Sequence, residues 1–224
     1  MKRIEAVLSD GGNILFSDEG VKKGPYEKIS PHIPGLTYDQ FRDGFQQYKI
    51  LAQTVPDYDN KSALKDYLDS IGEPKVFEVV SKQKKERNGK QLELIDGIYD
   101  TLQTLYEHDV PYIILTDATK PGEQLQPFLA KLGIELFVTD MISSKDVGVR
   151  KPDPIFFNAA LDKYGWKKED VIFVAHDDDE LVGAHELGIK VYAFNFKPEQ
   201  DLSWLPDEQK LYDFRELEKV VLGD

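Results

Sequence analysis

Four stretches of the sequence place chemically capable side chains where an apolar run ends. In AVLSDGGNILF, 6–16, the run closes on Asp10, with Gly11 and Gly12 directly behind it. A carboxylate there can attack an electrophile or hold a hard cation, and it can equally be a turn residue that accepts local backbone hydrogen bonds. In VPYIILT, 110–116, the run closes on Thr116 before Asp117, and a hydroxyl at that point can hold a phosphoryl oxygen. In SSKDVGVRKPDPIFF, 143–157, Pro152 and Pro154 hold Lys151 near the start of a helical pattern, where a cation beside free backbone N–H groups neutralises an anion. A solvated loop lysine fits the same residue. In DVIFVAHDDDELVGA, 170–184, a strand-like run drops into His176, Asp177, Asp178, Asp179 and Glu180. These acids suit a helix N-terminus, whose dipole they complement, and they suit Mg²⁺, which takes carboxylate oxygens. His176 reads as a ligand, a proton carrier or a polar residue at a strand end.

Placing these residues requires an ordered scaffold. Five short apolar runs predict strands: IEAVLS (4–9), VPYIILT (110–116), IELFVTD (134–140), DVIFVA (170–175) and KVYAF (190–194). Most are nearly continuous, as parallel strands covered on both faces require. Helical patterns lie between them over 94–109, 122–133, 153–165 and 179–188. Regular alternation of strand and helix implies right-handed crossovers and an α/β fold with a doubly wound parallel sheet. In such sheets ligands bind beyond the C-terminal strand ends, where all four stretches lie. From Ser17 to Lys90 the alternation stops, and the patterns over 38–53, 62–72 and 75–87 predict helices separated by turns. This reads as a small all-α insertion, 17–90, in an α/β core formed by 1–16 and 91–224. Tyr26, Phe41, Phe45 and Tyr48 within it fit either its own core or a substrate-facing wall.

Composition narrows the function. The 224 residues contain no cysteine, which removes thiolate chemistry and disulfides and suits a reducing compartment, so the expectation is cytoplasmic. No run approaches the roughly 20 apolar residues of a membrane span. With 41 acidic and 28 basic residues the net charge is −13, which repels nucleic acid and anionic membrane surfaces. The expected partner is a small molecule, and a monomer or a homodimer would both suit the chain.

In their order along the chain, SDGGNILF, ILTDA, VRKPDPIFF and FVAHDDDELVGA resemble the four motifs of the haloacid dehalogenase superfamily, and the resemblance spans essentially the whole chain. VGVRKPDPIFF and GAHELGIK are its most specific parts. The resemblance implies that Asp10 is a nucleophile toward phosphorus, or toward carbon in the dehalogenase branch, forming a covalent aspartyl intermediate that water hydrolyses. It further implies that Thr116 holds a phosphoryl oxygen and that Lys151 offsets charge. Gly11, Gly12 and Asp117 would contact substrate, and Mg²⁺ would be held by Asp10, the carbonyl of Gly12 and Asp177. The 17–90 insertion corresponds to a cap that closes over the site.

Two positions depart from that pattern. Phosphatases of the family carry a second Asp, the general acid, two residues after the nucleophile, and here that residue is Gly12. Counting back from Gly183-Ala184, the family's metal-binding Asp falls on Ala175 or His176, with Asp177 one or two residues late and Glu180 at a supporting position. Three readings follow: a Mg²⁺-dependent phosphatase of a small phosphorylated metabolite, a metal-independent 2-haloacid dehalogenase, and a non-catalytic binding protein. Arg42 is the one early cap arginine that the dehalogenase branch could use.

Overall fold

The computed structural model describes residues 4–17, 24–82 and 93–223. Among these residues six strands form one parallel sheet in the order β3-β2-β1-β4-β5-β6: β1 (Ala6–Ser9), β2 (Tyr112–Thr116), β3 (Asp140–Ser143), β4 (Val171–Ala175), β5 (Lys190–Phe194) and β6 (Lys210–Leu211). The near-continuous apolar runs are explained by two buried faces. Val7, Tyr112, Ile114, Ile172 and Val174 enter one hydrophobic cluster, while Ala6, Leu8, Ile113, Leu115 and Phe173 enter the other. Alternate residues of a strand point to opposite sides, so both faces need apolar side chains. The chain order reverses at β1, which has β2 on one side and β4 on the other. A crevice opens beyond the C-terminal ends of β1 and β4 at such a point.

The helices bear out most of the expected patterns. Those of the N-terminal insertion are α1 (Gly24–Ile29), α2 (Tyr38–Thr54), α3 (Asn60–Ser70) and α4 (Pro74–Lys82). The sheet is flanked by α5 (Ile98–Glu107), α6 (Gly122–Leu132), α7 (Ser144–Val147), α8 (Pro154–Tyr164), α9 (Asp178–Leu187) and α10 (Glu216–Leu222). A capping box at Thr37 and Gln40 starts α2, and Gly133, Gly165 and Gly188 in left-handed conformation stop α6, α8 and α9. No helix among the described residues is long and apolar enough to cross a membrane.

One predicted strand is misplaced. The segment 134–140 is not a strand until its last residue; Phe137 N–H bonds the carbonyl of Ile134 in a turn, and Leu136 is 72% exposed. Ile134 and Val138 still reach the core, which accounts for the apolar run, but the sheet is continued by the four residues of β3 behind it. The helices α1, α7 and α10 and the two-residue β6 carry patterns too short to be predicted.

The helices α1 to α4 have their own hydrophobic cluster, in which Phe41, Phe45, Tyr67, Leu68, Val76 and Val80 are buried. Phe41 and Phe45 stack at 5.0 Å between ring centroids, and Tyr67 meets both edge-on. The aromatic residues flagged in the sequence therefore build this core. Of the expected limits of the insertion, 17 adjoins residues 18–23 and 90 falls within residues 83–92, and both of these segments lie outside the described residues. Polar contacts tie the unit to the sheet. The Lys145 ammonium, on α7, donates to the backbone carbonyls of Ala52 (3.1 Å), Tyr58 (2.8 Å) and Val55 at the end of α2, and Asn60 donates to Thr119 Oγ1 at 2.7 Å. A cation at the C-terminus of a helix also complements its dipole.

The N-terminus of α6 sits directly on β3: a Cβ at Gly122 would lie 1.7 Å from the carbonyl oxygen of Met141. Gly122→Ala is expected to destabilise the chain by about 3 kcal/mol through this overlap. Gly133→Ala, where nothing lies within 4 Å and only the positive φ of 71° resists a side chain, should cost about 1 kcal/mol. Urea denaturation of both variants checks the order; equal losses would remove the close approach as the cause.

Candidate active site

Asp10 follows β1 and is fixed by its own backbone, whose N–H donates to Val174 of β4 at 2.9 Å. The chain then folds back: Asn13 takes φ 58°, its N–H bonds the carbonyl of Phe16 at 2.9 Å, and Leu15 N–H bonds the carbonyl of Gly11 at 3.0 Å. Gly11 and Gly12 lie inside this turn, and the side chain of Asp10 is left at the crevice, 12% exposed.

Lys151, between α7 and α8, crosses the crevice with its side chain fully buried. Its ammonium bonds Asp10 Oδ1, the carbonyl of Leu115 at 2.9 Å and Glu180 Oε2 at 2.9 Å. Burial alone would lower its affinity for a proton, but Asp10, Glu180 and Asp117 together outweigh that and raise the pKa. Lys151 stays charged. Burial acts the other way on Glu180, where it is the largest influence and pushes the carboxyl up to about 8; Lys151 opposes the shift and Asp10 adds to it. The segment carrying Lys151 can approach α9 because residue 183 is glycine. A Cβ there would meet Pro152 Cβ at 2.5 Å. This is a physical reason for the Gly-Ala pair that the sequence singled out.

Thr116 ends β2 one residue beyond Leu115, beside the lysine. Asp117 is committed to the chain itself: its carboxylate accepts from Lys151 N–H (3.2 Å) and Arg150 Nε (3.2 Å), and its backbone carbonyl accepts from Gln53 Nε2 of α2 at 2.8 Å. Gln53 and Arg150 were not among the predicted residues. Gln53 is buried, and the signal was present: it follows Phe41 and Phe45 at helical spacing, a polar residue on an apolar stripe.

The fourth stretch differs from its expectation in which residue faces Asp10. His176 Nε2 lies 3.8 Å from Asp10 Oδ2, and its Nδ1 lies 3.2 Å from Asp177 Oδ1. The Asp177 side chain is 61% exposed and the imidazole only 14%. Mg²⁺ takes hard oxygen donors. The third oxygen expected from Asp177 is turned to His176, and an imidazole occupies the approach to Asp10, so the donor set does not fit magnesium as the resemblance implies. Among the described residues no group of three or more His, Cys, Asp or Glu is arranged to hold a metal ion. Arg42, on α2, is exposed and pairs with Asp39 and Asp43.

The site thus joins Asp10, Thr116, Lys151, Glu180, Asp117 and His176 at the ends of adjacent strands. It can present one carboxylate oxygen of Asp10 to an electrophile while the other is held by a buried cation.

Comparison with known proteins agrees with this architecture. Residues 39–194 match a family model described as haloacid dehalogenase-like hydrolase. The pyrophosphatase PpaX of Halalkalibacterium halodurans is 27% identical over 175 residues, covering 67% of this chain and 80% of that protein. A phosphoglycolate phosphatase of Haemophilus influenzae is 27% identical over 122 residues, 51% of this chain and 54% of that protein, so the match spans about half the relative's length. Among solved structures, a 2-haloacid dehalogenase from Pseudomonas syringae superposes with a TM-score of 0.67 at 16% identity, covering 98% of this chain and 99% of that one. This last likeness is one of fold.

The carboxyl of Glu180 predicts a pH dependence. Folded, it keeps its proton to about 8; unfolded, it loses it near 4.5, so between these values the folded state binds more protons. Stability must then fall as pH rises from about 4.5 to about 8, an increment fully present only at the acid end. Glu180→Gln, which keeps the shape without the charge, should lose less stability between pH 5 and pH 9 than the wild type. Thermal melts across that range test this; parallel losses in both proteins would contradict it.

Proposed function

The chain belongs to the haloacid dehalogenase-like hydrolases and is an enzyme of that class, and from that premise we propose that it is a phosphatase of a small phosphorylated metabolite, with Asp10 as nucleophile. The observation that carries the reading is the division of labour at Asp10. Lys151 holds Oδ1, while Oδ2 stands 3.8 Å from the nearest nitrogen of His176 and remains available to attack. A carboxylate oriented by a buried ammonium and set at a strand end meets the geometric demands on a nucleophile.

In this reading Oδ2 attacks phosphorus, the ester oxygen departs, and water then releases phosphate from the aspartyl intermediate. Lys151 offsets the charge that gathers between carboxylate and phosphoryl group. Thr116 and the backbone of Gly11 and Gly12 hold phosphoryl oxygens, donors fixed before the reaction begins. Asp117 ties Arg150 and the Lys151 backbone in place rather than binding substrate through its carboxylate. The helices of 17–90 form a cap, joined to the site at Gln53, that excludes water and meets the leaving group. Every step falls to side chains and backbone of the chain. Phosphorus is preferred to a halogenated carbon because the relatives in sequence described above are a pyrophosphatase and a phosphoglycolate phosphatase, and because Arg42 is exposed and already paired with Asp39 and Asp43.

Hydrolysis of p-nitrophenyl phosphate by wild type and Asp10→Asn, each with Mg²⁺ and with a chelator, tests the reading. The variant should fold normally and lose at least ~10³-fold in turnover, the scale expected when a nucleophile is removed. The chelator arm measures the share of magnesium. Retained turnover in Asp10→Asn removes Asp10 from the mechanism, and chloride release from a 2-chloroacid without phosphate ester hydrolysis would assign the dehalogenase chemistry instead.

A further inference from the structure

Phosphoester cleavage needs a proton for the departing oxygen, and Gly12 cannot give one. We infer that His176, oriented by Asp177, is the proton donor and acceptor of this site. The inference rests on the phosphatase reading and on four features of the structure. The imidazole Nε2 faces Asp10 Oδ2, the attacking oxygen, at 3.8 Å, which is too long for a hydrogen bond and leaves that nitrogen to a substrate atom seated on Oδ2. The other ring nitrogen lies 3.2 Å from Asp177 Oδ1, which places a carboxylate beside the ring on the side away from Asp10 Oδ2. The backbone of His176 is held in turn, its carbonyl accepting from Gln200 Nε2 at 2.7 Å. Finally, the rival donor Glu180 is engaged elsewhere, its Oε2 paired with the Lys151 ammonium at 2.9 Å.

The proton balance closes over the two steps. In the first, the bond from Asp10 Oδ2 to phosphorus forms, the bond from phosphorus to the ester oxygen breaks, and the proton on Nε2 passes to that oxygen. In the second, the neutral Nε2 takes a proton from water as its oxygen bonds phosphorus and the bond to Asp10 breaks, so phosphate leaves and the imidazolium is restored. Asp177 never touches substrate and is a positioning residue. The role replaces, from the end of β4, the acid that the family places in the turn after β1.

The experiment compares two leaving groups, p-nitrophenyl phosphate, whose activated phenolate scarcely needs a proton, and phenyl phosphate, which does. Wild type, Asp10→Asn, His176→Gln, Asp177→Asn and Glu180→Gln are assayed side by side, with melting curves to confirm folding. Read as kcat/KM, which stops at departure of the leaving group and omits the water step, His176→Gln should lose ~10²–10⁴-fold on phenyl phosphate and no more than about tenfold on p-nitrophenyl phosphate, while kcat, which includes the water step, should fall on both. Asp177→Asn, at an exposed carboxylate, should show the same selectivity with a loss of roughly tenfold. Equal losses of kcat/KM on both esters in His176→Gln, or no loss on either, overturn the inference while the nucleophile reading stands. If Asp10→Asn remains active, or wild type hydrolyses neither ester, the phosphatase reading itself fails and the inference falls with it. Selectivity appearing in Glu180→Gln instead would assign the proton to Glu180.

Discussion

The organisation of the site depends on one buried ammonium group. A lysine with no exposed side-chain surface must be paired, because an uncompensated charge in an apolar interior costs several kcal/mol. Lys151 finds its partners on three different elements: Asp10 after β1, the carbonyl of Leu115 on β2, and Glu180 on α9 after β4. None of these groups is near another in sequence. The parallel sheet, with its reversal of order at β1, brings their strand ends together, and the packing of Pro152 on Gly183 sets the lysine at the right depth. Fold stability and the orientation of the Asp10 carboxylate are therefore the same physical event.

Charge in the crevice follows from the same burial. Asp10 and Asp117 face Lys151 and Arg150, and Glu180, held protonated up to about 8, leaves these two acids against two cations near neutrality. A chain carrying −13 overall has no long-range field to draw an anion inward. Recognition of the proposed phosphate ester would then come from directed donors at close range.

Much of this was readable from the residues. The strands β1, β2, β4 and β5 and the helices α2, α3, α6, α8 and α9 lie close to their predicted spans, because continuous apolar runs and glycine stops report local physics. The shift from 134–140 to β3 was hidden because a turn that buries Ile134 and Val138 produces the same pattern as a strand, whereas β3 has only Met141 and Ile142 as apolar residues. Asp10, Thr116 and Lys151 could be placed because each terminates or precedes an element. The orientation of His176 and Asp177 could not. Which of two adjacent side chains turns inward depends on the dihedral angles at the end of β4, and composition carries no record of them. Gln53 depends likewise on a contact between residues 64 positions apart.

The grip of Lys145 on the helical unit has a consequence for how the enzyme can change over generations. Its ammonium binds carbonyls of Ala52, Val55 and Tyr58, groups every residue possesses, and among the described residues no side chain of the insertion. Substitutions along the inward surface of α2 can accumulate without loosening this attachment. Selection is free to retailor what the covering helices admit while the machinery beneath stays as it is, an arrangement in which new substrates are reached by drift in one module and not by rebuilding the whole.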